Sequence, residues 1–261
     1  FEFRAVGSSA NCAGAMTTLN AAVAEQLKIF KTEVDKELAK GKKTNVAIMD
    51  ALKPIIASVI DVVCFDGNGY SEEWKEEAKR RGLDTETSVP EMIKVFTKPE
   101  SIKMFTGTSV YTEKELEARN EVKWEMYTKK VQIESRVLVR MAINHIIPAV
   151  LEYKSKLLKE VALCKEVFGS TDSCTTELEL IAKISGYVED VRVKTAAMKE
   201  ARKKANAIEN EYEKAKAYHE IAEALFDLRK PIDKLEEIVD NKSWPLPKYR
   251  EIGRASCRER V

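Results

Sequence analysis

The chain is constrained most by residues 112–168, a run predicted to stay helical, with Pro148 inside it, until Gly169-Ser170-Thr171-Asp172-Ser173. It opens on Thr112-Glu113-Lys114-Glu115, a capping-box pattern in which the threonine and the glutamate three residues on satisfy each other's backbone donors. At 1.5 Å per residue, a helix of that length reaches about 85 Å, far beyond the globular average. Its most apolar stretch is 137–151, and Pro148 is predicted to bend it there. A return helix follows, with Ile181, Ile184, Val188, Val191, Thr195, Met198, Arg202 and Ala205 at 3-4 spacing. That seam predicts knobs-into-holes packing, although Thr195 and Arg202 are poor core residues. The stripe then shifts phase to Ile208, Tyr212, Ala215, Ala222 and Leu225, which marks a stutter or a new helix. A last segment, 231–240, places Pro231 at a helix-compatible first position. Residues 112–240 are therefore expected to form an antiparallel hairpin or three-helix bundle.

The first 111 residues read differently. Residues 1–6 alternate with period 2, and this is the one strand the sequence predicts. Thr17 or Thr18 is predicted to cap a helix to about Lys40, and Thr44 or Asn45 the next. Residues 46–65 are apolar nearly all round, the pattern of a buried helix, with Pro54 expected to kink or break it. Ser71 is expected to cap a short helix over 72–81, acidic at its start and basic at its end, stopped by Gly82. Residues 83–111, with Pro90, Pro99 and Gly107, read as a broken connector. The fold class is thus mainly α.

Composition excludes several functions. Lys and Arg total 44 against 43 Asp and Glu, for a net charge of +1. That balance offers no reason for a nucleic-acid or anionic-membrane partner. The apolar runs are too short for a membrane span. The cysteines at 12, 64, 164, 174 and 257 form no CxxC pair or Cys/His cluster. They read as scattered thiols of a reduced, cytoplasmic protein. His145 and His219 stand alone on helices and read as structural, Trp124 as helix packing, and Trp244, just before Pro245 and Pro247, as a docking residue. Residues 252–261 have no period, and with suitable codons they back-translate to a sequencing adapter; they are set aside from the fold.

One constellation carries chemistry. In Phe1-Glu2-Phe3-Arg4, strand geometry puts Glu2 and Arg4 on one face, about 7 Å apart. A carboxylate can ligate a divalent cation, and a guanidinium can fork onto a phosphate or carboxylate. The pair alone is more often a salt bridge. The longer run, continuing Ala5-Val6-Gly7-Ser8-Ser9-Ala10-Asn11, resembles the last active-site strand of glutamine synthetases, whose pattern is Arg-x-Glu-x-Arg and then a small-Ala-Asn turn. Gly69-Tyr70-Ser71-Glu72-Glu73-Trp74 with Glu76-Glu77-Ala78-Lys79-Arg80-Arg81-Gly82-Leu83 resembles the large type III branch. So do Val131-Gln132-Ile133-Glu134-Ser135-Arg136 with Asn144-His145-Ile146-Ile147-Pro148-Ala149, and Trp244-Pro245-Leu246-Pro247-Lys248-Tyr249-Arg250-Glu251. The resemblance covers residues 1–251.

It implies an ATP-dependent ligase joining ammonia to glutamate through γ-glutamyl phosphate, with Mg²⁺ or Mn²⁺. Glu2 would ligate the metal serving the ATP phosphates, and Arg4 would contact the transferred phosphate or the substrate carboxylate. The family's first arginine would precede Phe1, so the chain is expected to begin mid-domain and to be inactive alone. The implied organisation is a catalytic-domain remnant at 1–70 and a helical C-terminal domain at 71–251, in a cytoplasmic homo-oligomer. Composition and heptads without the resemblance would favour a coiled-coil scaffold.

Overall fold

The computed structural model describes residues 11–248. The predicted strand at 1–6 and the tail at 252–261 lie outside them. The described residues are mainly α, as the periodicity requires. They divide into two compact units, one up to Asn120 and one from Glu121.

In the first unit, α1 (Ala13–Ala39) and α2 (Thr44–Val63) form a hairpin. Helix α1 starts earlier than Thr17. Asn11 Oδ1 accepts from the Ala13 N–H at 2.8 Å, and Thr17 turns its hydroxyl back onto the Ala13 carbonyl, a mid-helix role. Helix α3 (Glu72–Arg80) behaves as its sequence dictates. Ser71 Oγ accepts from the Trp74 N–H at 3.2 Å, and Gly82 takes φ +77°. The Leu83 N–H returns to the Ala78 carbonyl at 2.9 Å and the Gly82 N–H to Lys79 at 3.0 Å, a Schellman stop. Residues 83–111 are more ordered than a broken connector. Helices α4 (Val89–Lys94) and α5 (Pro99–Gly107) carry Pro90 and Pro99 in their first turns, where no N–H is needed. Phe105, buried with Ala21 and Leu116, anchors this unit's core.

The prediction for α2 needs a correction. Ala47 and Ala51 are buried, but Ile56, Val59, Ile60 and Val63 are 41–55% exposed. Helix α1 lies against the small-residue side and leaves the larger apolar residues facing solvent. Nor does Pro54 break the helix, which runs through it.

In the second unit, α6 (Glu113–Met141, which enters from the first unit) leads into a π turn at Ala142–Ile146 and then α7 (Ile147–Phe168). The capping box forms as read. The Thr112 N–H donates to Glu115 Oε2 at 2.8 Å, and the Glu115 N–H to Thr112 Oγ1 at 3.3 Å. The π turn sits where the Pro148 ring would collide with an ordinary preceding turn, so widened winding accommodates it. Gly169, at φ +72°, ends α7. Helix α8 (Thr175–Asn206) buries Ile184, Val191, Thr195, Met198 and Ala205 of the predicted seam. The phase shift proves to be a new helix, α9 (Glu211–Ile238), capped where Asn210 Oδ1 accepts from the Glu213 N–H at 3.0 Å.

Helix α9 does not restart at Pro231, contrary to the sequence reading; Pro231 lies inside it. The missing N–H would have bonded the Asp227 carbonyl. Lys194 Nζ, from α8, donates to that carbonyl at 2.9 Å and replaces the lost bond. Trp244 folds back onto its own bundle, 6% exposed, and Lys248 Nζ caps the Glu236 and Val239 carbonyls at 2.6 and 2.9 Å. Cys164 and Cys174, read from sequence as scattered thiols, are joined by a disulfide across the α7–α8 turn. Sequence spacing does not reveal the hairpin that brings them together.

An ion network fastens the α1–α2 hairpin. Glu37 accepts from Lys40 and from Lys42, the latter at 2.7 Å, and Lys42 also reaches Asp50 at 2.6 Å. The hydrogen bonds from Lys40 and Lys42 hold the Glu37 carboxyl down at about 2, against an ordinary 4.5. Because its folded-state value is depressed, Glu37 contributes stability that is present above about pH 4.5 and lost as pH falls towards 2. Carboxyl carbon NMR is expected to give a Glu37 midpoint near the lower value. In a K40M/K42M variant the midpoint returns towards the ordinary one. Raised salt weakens the effect in the native chain, because the network is partly open to solvent.

Candidate functional site

Glu2 and Arg4, the predicted metal ligand and phosphate-contacting arginine, lie outside the described residues. Among the described residues, no three His, Cys, Asp or Glu side chains come together where they could hold a metal ion. No helix there is long and apolar enough to cross a membrane.

Besides the Glu37–Lys42–Asp50 network of the first unit, polar side chains converge in the second unit. Tyr218 is fully buried, and its hydroxyl donates to Asn206 Oδ1 at 2.7 Å. Gln132 Nε2 donates to the same Asn206 oxygen at 2.9 Å and to the Tyr218 hydroxyl at 3.1 Å. One side chain each from α6, α8 and α9 thus closes a hydrogen-bonded triangle, which fixes the register of three helices. Nearby, the Tyr127 hydroxyl meets His219 Nδ1 at 2.8 Å. Burial raises the Tyr127 pKa, with Glu134 and Glu223 adding to the shift, so the phenol stays protonated at neutral pH. His219 therefore has a structural partner, and His145 is exposed on the π turn. Trp124 packs on Tyr212, ring centroids 5.2 Å apart. None of these groups pairs a nucleophile with a base beside a cavity.

Of the open grooves among the described residues, two lie one in each unit. One of about 310 Å³ in the first unit is lined by Met92, Phe96, Met104 and Phe105, with Asp84 and Glu86 at its edge. The other, about 860 Å³, runs between α8 and α9 over Ala197, Ala201, Ala217 and Ala224. Both are apolar, and neither gathers a catalytic set.

Residues 47–165, from α2 into α7, match the glutamine synthetase C-terminal domain. These residues belong to that family. The chain is 48% identical over 257 residues to the protein named glutamine synthetase of Bacteroides fragilis (strain YCH46), covering 97% of this chain and 35% of that protein. It is 32% identical over 260 residues to the type-3 glutamine synthetase of Dictyostelium discoideum, with the same coverages. A glutamine synthetase of Butyrivibrio fibrisolvens matches at 30% identity over 191 residues, 73% of this chain and 27% of that protein. The chain therefore spans about a third of the length of the curated relatives it matches. The Gln132–Asn206–Tyr218 triangle is not legible in the sequence. One signal was visible: Arg202, beside Asn206, stands at a seam position where an apolar residue belongs.

Proposed function

We propose that this chain is the C-terminal part of a type III glutamine synthetase, an ATP-dependent ligase that joins ammonia to glutamate through γ-glutamyl phosphate. The observation that carries the reading is the 48% identity to a glutamine synthetase over 97% of the chain. The type III assignment rests on the 32% match to a protein of that name, again over 97% of the chain. A helical scaffold without enzymatic kinship has no comparable support.

Residues 1–70 are the end of the catalytic domain in this reading, and 71–251 are a helical C-terminal domain. Glu2 is a ligand for the Mg²⁺ or Mn²⁺ that neutralises ATP phosphate charge when bound. Arg4 forks onto the transferred phosphate or the glutamate carboxylate and orients it. The exposed apolar side of α2 fits a place within a larger protein, because an apolar patch of that kind calls for cover. The whole enzyme is a homo-oligomer in this reading.

Complementation tests the proposal. The full-length gene restores growth without glutamine to a bacterial strain lacking its own glutamine synthetase, and the 261-residue chain alone does not. A full-length protein that is expressed and folded yet leaves the strain dependent on glutamine defeats the reading.

A further inference from the structure

The end of the α7–α8 hairpin is closed by sulfur. Val150, Leu157 and Cys164 recur at heptad spacing along α7, and Cys174, Ile181 and Val188 recur at the same spacing into α8. A heptad row keeps to one side of its helix, so each cysteine continues the core side of its own element. Val150, Leu157 and Cys174 are buried, and Cys164 is half-buried. The two cysteines, 10 positions apart, therefore end a seam that apolar residues fill elsewhere, and they meet there as a disulfide.

Little else ties this end together. Among the described residues, no hydrogen bond or ion pair joins the last turns of α7 to the first turns of α8. The bonds of the turn are local: the Gly169 N–H to the Lys165 carbonyl and the Cys174 N–H to the Thr171 carbonyl, each at 3.0 Å. Leu163, Val167 and Phe168 are 57–71% exposed, so packing there is thin. The two sulfur positions also differ in a way that suits exchange. Half-buried Cys164 is the one open to a small reagent. Buried Cys174 is the N-cap of α8, a helix of 32 residues, whose unpaired N–H groups favour a negative charge beside them. Thiol–disulfide exchange needs both properties, a sulfur that can be reached and a partner that leaves as a thiolate. The other described cysteines, Cys12 and Cys64, are free and lie in the first unit.

We propose that Cys164 and Cys174 are a reversible redox site whose substrate is a small-molecule disulfide of the glutathione type. In the reduced chain, the Cys164 thiolate attacks one sulfur of glutathione disulfide. A mixed disulfide forms on Cys164 and one glutathione thiolate leaves. The Cys174 thiolate then attacks Cys164 Sγ, which closes the intramolecular bond and expels the second glutathione thiolate. The cysteine pair gives up two electrons and two protons, and glutathione disulfide takes them as two thiols. Excess glutathione runs the same steps backwards. The closed bond locks the end of the hairpin; opening it lets the last turns of α7 and the first of α8 fray.

The test uses the 261-residue chain with Cys12, Cys64 and Cys257 replaced by serine, reduced and then equilibrated with glutathione buffers of graded oxidised-to-reduced ratio. Acid quenching, alkylation and mass spectrometry read the state of the pair, and the unsubstituted chain read by peptide mass covers a failure of that variant to fold. The expected result is a two-electron transition that excess glutathione reverses. Backbone hydrogen exchange over 163–178 is expected to be at least about 10-fold slower in the oxidised chain, while the core around Ile184 and Leu228 is unchanged. Cys174→Ser is expected to trap glutathione on Cys164, and Cys164→Ser to take up little on buried Cys174. Two thiols that persist in the most oxidising buffer, a bond that glutathione leaves intact in the folded chain, or equal exchange over 163–178 in the two states each overturns the proposal.

Discussion

Leu235→Ala is expected to destabilise the helical unit by about 2–5 kcal/mol, the cost of an unfilled cavity in a core that cannot close around it. Leu235 is fully buried within the continuous cluster that joins α6, α7, α8 and α9 and includes Ile184, Val191, Leu228 and Trp244. Its helix is held at several independent points. Asn210 caps the start, Lys194 bonds the carbonyl that Pro231 leaves free, and Lys248 caps the end. Such a helix has little freedom to move into the space a leucine vacates. Leu151→Ala is the matched control. That side chain is 46% exposed, so its removal should change stability by no more than about 0.5 kcal/mol. Urea unfolding followed by circular dichroism compares the two. Equal effects would mean that the buried cluster is not what holds the bundle.

The local signals in this sequence translate well because their physics is local. Thr112 with Glu115, Ser71 with Trp74, Gly82 and Gly169 each act within one turn, and each occurs where it was read. The α8 seam was legible for a related reason: a long run of 3-4 spacing has one way to bury itself. The misreadings needed information from elsewhere in space. Pro90, Pro99 and Pro231 carry the same signal, a missing N–H. Whether it breaks, starts or merely interrupts a helix depends on what replaces that donor, and for Pro231 this is a lysine 37 positions earlier in the chain. The apolar sides of α2 show that it wants partners, but hydrophobicity does not say which sides α1 will cover. Cys164 and Cys174 meet only because α7 and α8 form a hairpin. The candidate catalytic pair was legible only as a motif: alternation places Glu2 and Arg4 on one face, and the resemblance supplies their chemistry.

Glu2→Gln in the full-length enzyme is expected to have the larger effect on function. The substitution keeps the shape of the side chain, so folding should be nearly unchanged. In the proposed role it removes a full negative charge and an anionic oxygen donor that would serve a divalent ion. Losing a preorganised electrostatic partner at a reacting centre costs on the order of 10²–10³ in turnover. Arg4→Lys keeps a charge but loses the planar fork, so it should reduce turnover while leaving metal affinity close to that of the native enzyme.

The decisive measurement is ¹⁵N-ammonium incorporation into glutamine by the purified full-length protein, with ATP, glutamate and Mg²⁺, alongside its Glu2→Gln variant. The native protein should produce labelled glutamine with one ADP per turnover, and the variant, folded and of the same oligomeric size, should produce almost none. Labelled glutamine from the variant at near-native rate, or none from the native protein, would contradict the assignment.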